Sequence, residues 1–180
     1  MPELAEAYAS GMSPERYEEL LAEHRDVHRL HRRRAEFSAQ DEALLRGLPA
    51  QRALVITEPW CGDSLAILPV VLELFARIPG SVVRIVLRDE NQELMDGFLT
   101  RGGRAVPIVV ALGEDDGERF RWGPRPGPAQ AILEANWAGL AAGTVARATI
   151  FAQIRAFYAK DRGRTIIAEL LERLREGGSA

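Results

Sequence analysis

The chain has 180 residues, 47% of them hydrophobic, with 23 basic and 26 acidic side chains and a net charge of −3. That length holds one well-packed domain with appendages rather than two full domains, and the charge balance gives no whole-chain field that would attract nucleic acid. The single cysteine, Cys61, excludes an internal disulfide and any cysteine-rich metal site.

In chain order, the opening "MPELAEAYASGMSPERYEEL" has neither the basic nor the apolar region of a signal peptide. No apolar run approaches the ~20 residues of a membrane span. The expected location is therefore cytoplasmic, where reducing conditions leave a lone thiol free for chemistry or inert in a core. The first fifty residues read as helical. Ser13, Pro14 and Glu15 supply an N-cap, a proline for the first turn and an acid at the positive helix end. Tyr17, Leu20, Leu21, His24 and Val27 succeed them at helical spacing. Ser38 with Asp41 predicts a second capped helix that stops between Gly47 and Pro49.

The period then changes. "ALVIT" (Ala53 to Thr57) is a continuous apolar run, as in a strand buried on both faces. Cys61 to Ile78 reads as a helix with Leu65, Leu68, Leu72 and Phe75 on one stripe and Pro69 inside it as a kink. Val82 to Leu87 is a second strand, and Glu90 to Thr100 a short helix closed by Gly102 and Gly103. "AVPIVVAL" is a third strand with Pro107 near its start, "GEDDGE" a turn, and Arg119 to Trp122 a fourth strand. The rest is helical and ends in the amphipathic "RTIIAELLERLRE". Strands separated by helices imply parallel pairing, with the last hairpin adding an antiparallel edge. The expected fold is α/β: a central mixed sheet flanked by helices. It divides into a helical extension over residues 1–50, a core over 51–135 and C-terminal helices over 136–180, all within one domain.

Two charged features are weighed and set aside as sites. His24, His28 and His31 share one helix face at spacings of four and three, a pattern that can hold Zn²⁺. Arg25, Arg29, Arg32, Arg33 and Arg34 crowd the same helix and repel a cation, so a packing or rim role is the reading taken, with no metal. The run "HRLHRRRAEF" is surrounded by Glu23, Asp26, Glu36 and Asp41 and reads as a solvated face, an anion or acidic partner being the alternative. The segment "RWGPRPGP" is read either as a rigid turn or as the mouth of a site, where Arg121 or Arg125 would meet a partner's carboxylate.

The chemistry concentrates in "EPWCGDS", Glu58 to Ser64. A cysteine at a helix N-terminus faces unpaired backbone N–H groups and the positive end of the helix dipole, and both favour a charged, nucleophilic sulfur. Asp63, close by, works against that charge. The stretch resembles the thioredoxin family's W-C-G-x-C. Trp60, Cys61 and Gly62 stand in order, Pro69 lies eight positions beyond the cysteine, and Val106–Pro107 opens a later strand. With "LRDEN", Leu87 to Asn91, the pattern is similar to a bacterial thioredoxin-like branch that carries "WCGD". The resemblance covers Arg52 to Ala135. It implies a thioredoxin-like fold, a cis proline at Pro107 facing the cysteine, and thiol–disulfide exchange.

Ser64 stands where the family's resolving cysteine would be, and Val55 where members bury an aspartate that serves that second thiol. A hydroxyl cannot displace a mixed disulfide. With these two changes the resemblance implies a monothiol (CxxS) oxidoreductase. Cys61 is the nucleophile, Ser64 bonds its sulfur, and Trp60, Gly62 and Asp63 shape the loop. Val106 and Pro107 form the partner groove, and an outside thiol completes turnover. No cofactor is implied. The expected partners are a disulfide-bearing protein or a low-molecular-weight thiol, not nucleic acid or membrane, with the chain a monomer or weak dimer. The other reading is a redox-inactive thioredoxin-fold binding module for a protein or peptide.

Overall fold

A computed structural model describes residues 4–176. Four helices come first: α1 (Leu4–Ser10), α2 (Pro14–Leu20), α3 (Arg25–Arg34) and α4 (Ala39–Gly47). The cap residues act as the sequence predicts. Ser13 Oγ accepts from the Arg16 N–H, and Ser38 and Asp41 form a reciprocal capping box. Then come β1 (Arg52–Thr57), α5 (Gly62–Ala76), β2 (Val82–Leu87), α6 (Gln92–Met95), β3 (Ile108–Leu112) and β4 (Glu118–Trp122). The chain closes with α7 (Gly127–Ala135), α8 (Trp137–Ala141), α9 (Arg147–Asp161) and α10 (Arg164–Glu176). Among the described residues no helix is long and apolar enough to cross a membrane.

The strands form one mixed sheet in the order β2-β1-β3-β4. β1 and β2 are parallel, with Val55 opposite Ile85. β3, expected to run parallel, is antiparallel to β1, with Ile56 opposite Ile108. The reason lies in the connection. The chain leaving β2 stays at the carboxyl end of the sheet, where the Arg88 N–H bonds Thr57 O and Arg88 Nη1 donates to Arg104 O. Its helical content, α6 and one 3₁₀ turn at Asp96–Phe98, is shorter than the predicted helix over Glu90 to Thr100. It does not carry the chain back along the sheet as a parallel crossover must. β3 therefore starts where β1 ends, and Val106 and Pro107 precede the strand instead of belonging to it.

Alternation along the strands divides the core between two faces. Ala53, Val55, Ile85 and Val109 join α5, α10 and the N-terminal residues Tyr17, Leu21 and Leu45 on one side. Leu54, Ile56, Ile108 and Val110 meet Ala7, Leu94, Met95 and Phe98 on the other. Helix α5 buries far more than the expected single stripe, with every residue from Asp63 to Val71 enclosed. The sheet covers one side of it and α3 and α10 another. The N-terminal segment is also tied to the sheet edge, because Met12 and Ile85 exchange N–H···O bonds of 2.8 and 2.9 Å.

Candidate active site

β1 ends at Thr57, and a turn closed by the Cys61 N–H on Glu58 O leads into α5. Cys61 is the N-cap of that helix, and its carbonyl accepts the first helical bond from Leu65. Cys61 is partly exposed and packs at the margin of the second core. The β1–β3 pairing brings Val106 opposite it, and Cys61 Sγ donates to the Val106 carbonyl at 3.5 Å. The Val106–Pro107 peptide is cis. Trp60 is 56% exposed beside the thiol, with the Arg88 guanidinium 4.9 Å from its ring centroid.

Asp63, in the first turn of α5, is 6% exposed. Arg125 reaches it from the loop after β4, with Nη2 2.5 Å from Asp63 Oδ2. Tyr158 of α9 donates its hydroxyl to Asp63 Oδ1 at 2.8 Å. Burial, then the neighbouring Asp63 charge, pushes the Tyr158 phenol far above its ordinary range, which keeps it a donor. This triad changes the expected role of Asp63. Its carboxylate is paired with a guanidinium inside the protein. It also changes the role of the "RWGPRPGP" loop. Arg125 faces inward, and Arg121 is held by Glu118 and the Gly97 carbonyl, so neither side chain is free to meet a partner's carboxylate as the sequence suggested.

Ser64 does not bond the sulfur. It is fully buried behind the loop, and its Oγ has no hydrogen-bond partner. The reason is its position one turn into the helix, on the face that α5 turns toward the core. Thr57 Oγ1 and the Tyr17 hydroxyl are also buried and unpartnered. Those two groups approach one another without reaching hydrogen-bond geometry, and burial holds the Tyr17 phenol well above its usual range. Gly62 opens α5, with open space where a Cβ would stand. Glu58, buried at the end of β1, accepts the Asp89 N–H at 2.8 Å, and burial raises its carboxyl. The "LRDEN" segment thus braces the thiol loop through Asp89 on Glu58 and Arg88 on Trp60.

His24, His28 and His31 do not act together. His28 is completely buried with neither ring nitrogen bonded, and burial lowers it to about 4. His31 is half-buried and also lowered by desolvation.

The structure thus brings together Trp60, Cys61, Val106 and Pro107, with Asp63 beneath them. It adds three groups that the sequence did not assign to the site: Glu58, Arg88 and Tyr158. Arg88 carried a signal, since it lies in "LRDEN". Tyr158 carried none, because it meets Asp63 across 95 residues of chain.

No curated protein matches the chain. Among solved structures, PA1234 of Pseudomonas aeruginosa, a protein of unknown function, is similar with a TM-score of 0.75 at 22% identity, over 99% of this chain and 100% of that one. An HIV 4E10 epitope-scaffold is similar with a TM-score of 0.71 at 20% identity, over 98% of each chain. These likenesses bear on the fold alone. A family model described as thioredoxin matches residues 11–138, and so reaches into the N-terminal helices beyond the Arg52 to Ala135 span of the sequence resemblance. With the sheet, the helix-capping cysteine and the facing Val106–Pro107 in place, that match over most of its length shows that the chain belongs to the thioredoxin family.

Proposed function

We propose that the chain is a cytoplasmic thiol–disulfide oxidoreductase working through Cys61 alone. The observation that carries this reading is the place of the sulfur. It belongs to a partly exposed residue at the start of a long buried helix, 3.5 Å from the Val106 carbonyl and next to an exposed tryptophan. As a thiolate, Cys61 attacks one sulfur of a partner disulfide. The new Cys61–partner disulfide forms as the old one breaks, and the other partner sulfur leaves as a thiolate. Ser64 cannot resolve the adduct, so an external thiolate attacks the Cys61-bound partner sulfur and releases Cys61 with both electrons of its bond. Cys61 caps the start of α5, and Arg125 holds the Asp63 carboxylate inside the protein two residues from it.

The test is disulfide reduction with an excess of a small thiol. Cys61→Ser abolishes turnover if the reading is right, and retained activity refutes it. A second reading, a redox-inactive binding module, is favoured by Ser64 and by the exposed Trp60 on its Arg88 support. Alkylation of the native thiol separates the two. Rapid modification accords with chemistry, and an unreactive Cys61 with binding alone.

A further inference from the structure

Tyr17, Thr57 and Ser64 are fully buried, and none of their hydroxyls has a hydrogen-bond partner among the described residues. Protein interiors satisfy such groups with other protein atoms or with ordered water. Two of the three lie together. Thr57 ends β1, and alternation turns its side chain to the face of Ala53 and Val55, toward the core that contains Tyr17. The Tyr17 and Thr57 hydroxyls are near enough to interact, yet they do not reach hydrogen-bond geometry. One water bridges a gap of that kind. The His28 ring stands 6.3 Å from the Tyr17 ring between centroids, and neither of its nitrogens is bonded. This corner of the core therefore offers a water several polar groups, as an internal site requires.

The same corner adjoins the thiol loop. Thr57 directly precedes Glu58, whose carbonyl accepts the Cys61 N–H and so draws the chain into a tight turn. Tyr17 is in electrostatic reach of both Cys61 and Glu58, whose charges add to the upward push that burial exerts on its phenol. Burial keeps that phenol protonated and therefore a donor. When Cys61 ionises, its bond to the Val106 carbonyl is lost and the anion faces an acceptor. Hydroxyl dipoles that no other group engages are free to turn toward such a charge, and the low dielectric of the interior strengthens their effect.

Resting on the thiol–disulfide reading above, we propose that Tyr17, a residue of the N-terminal helices, is a positioning residue of the thiol site. Its hydroxyl and that of Thr57 share one internal water, and the hydrated pair turns its protons toward the Cys61 thiolate and stabilises it. The Cys61 proton goes to bulk water, and none passes to the pair, which stays neutral throughout. The N-terminal helices then complete the site as well as covering the core.

The chain has one cysteine, so a carbon-13 label at cysteine Cβ gives one resonance whose titration reads the Cys61 pKa without any turnover. Tyr17→Phe and Thr57→Val are each expected to raise that pKa by about 0.5–1 unit. Thr57→Ser, which keeps the hydroxyl, is expected to leave it unchanged. The double variant Tyr17→Phe with Thr57→Val is expected to exceed either single only slightly, because one water serves both groups. The other titratable groups around the loop, Glu58, Asp63 with Arg125, and Tyr158, are the same in all these chains, as is His28 against Tyr17. Stability gives a second readout. Loss of a satisfied hydroxyl in Tyr17→Phe lowers Tm by about 2–4 °C, whereas loss of an orphaned one leaves Tm unchanged or raises it. A high-resolution crystal structure is expected to show the water between Tyr17 Oη and Thr57 Oγ1. An unmoved Cys61 pKa in Tyr17→Phe, an unlowered Tm, or a direct Tyr17–Thr57 bond with no water overturns the proposal. Should Tyr17→Phe fail to fold, Thr57→Val against Thr57→Ser decides it. The expected pKa shift in a chain that reduces no disulfide upholds the hydroxyl pair and refutes the thiol–disulfide reading alone.

Discussion

Breaking the pair beneath the thiol loop is expected to cost far more than a surface ion pair. In Arg125→Leu the Asp63 carboxylate, with a side chain only 6% exposed, keeps the Tyr158 hydroxyl and loses its countercharge at 2.5 Å. An uncompensated buried charge costs about 3–5 kcal/mol, whereas exposed pairs contribute about 0–1 kcal/mol. For a chain of this size each kcal/mol lowers Tm by about 2–4 °C, so a fall of roughly 6–20 °C is expected. Asp63→Asn leaves the guanidinium without its carboxylate and loses a similar amount. The double variant Arg125→Leu with Asp63→Asn is expected to lose less than the sum of the two singles, with a coupling of about 2 kcal/mol or more, because neither charge is then stranded. Urea unfolding of the four proteins at pH 7 measures each stability. Cys61 reactivity obeys the same logic. Arg125→Leu leaves a negative charge two residues from the sulfur and slows alkylation by iodoacetamide, and the double variant restores it. Additive losses of under about 1 kcal/mol for each single variant would refute the reasoning.

Burial of His28 makes stability fall in acid. Its folded value is lowered from 6.5 to about 4, by desolvation above all and by Arg32, His31 and Arg29, against an opposing pull from Glu18. Above pH 6.5 the imidazole is neutral in both states and costs nothing. Between pH 6.5 and about 4 the unfolded chain binds a proton that the native chain does not, so stability falls by up to about 1.4 kcal/mol per pH unit. Denaturation at pH 7 and pH 5 reads this, and His28→Phe is expected to flatten the difference; an unchanged slope in that variant would remove His28 as the cause. Gly123→Ala is expected to destabilise by about 2 kcal/mol or more. Gly123 has φ of +120°, and a Cβ there lies 2.4 Å from the Pro107 carbonyl oxygen. Gly62→Ala, with open space around it, is the tolerated comparison, and equal thermal stability of the two variants would contradict the close approach.

Much of the fold was legible locally. The Ser13 and Ser38 caps were readable because a cap joins residues three apart, and both formed. The strand Ala53 to Thr57 lies within the observed β1, because an unbroken apolar run needs burial on both faces. Cys61 was readable as a helix-start thiol because Trp60, Gly62 and the apolar run after it mark the junction. Less was legible where faces meet. The stripe seen on α5 underestimated its burial, since nothing in residues 61–78 announces that α3 and α10 cover its other sides. The direction of β3 depended on where the connection from β2 lies, and helix content alone does not carry that.

Sequence by itself determined the family, the solitary thiol and the lack of a resolving partner, because these depend on residue identity at short spacing. Tertiary structure alone decided that Ser64 is sealed away from the sulfur, and that Asp63 is paired with Arg125 and held by Tyr158. Charges far apart in the chain affect one another only through their final separation and their shielding from water, and folding sets both.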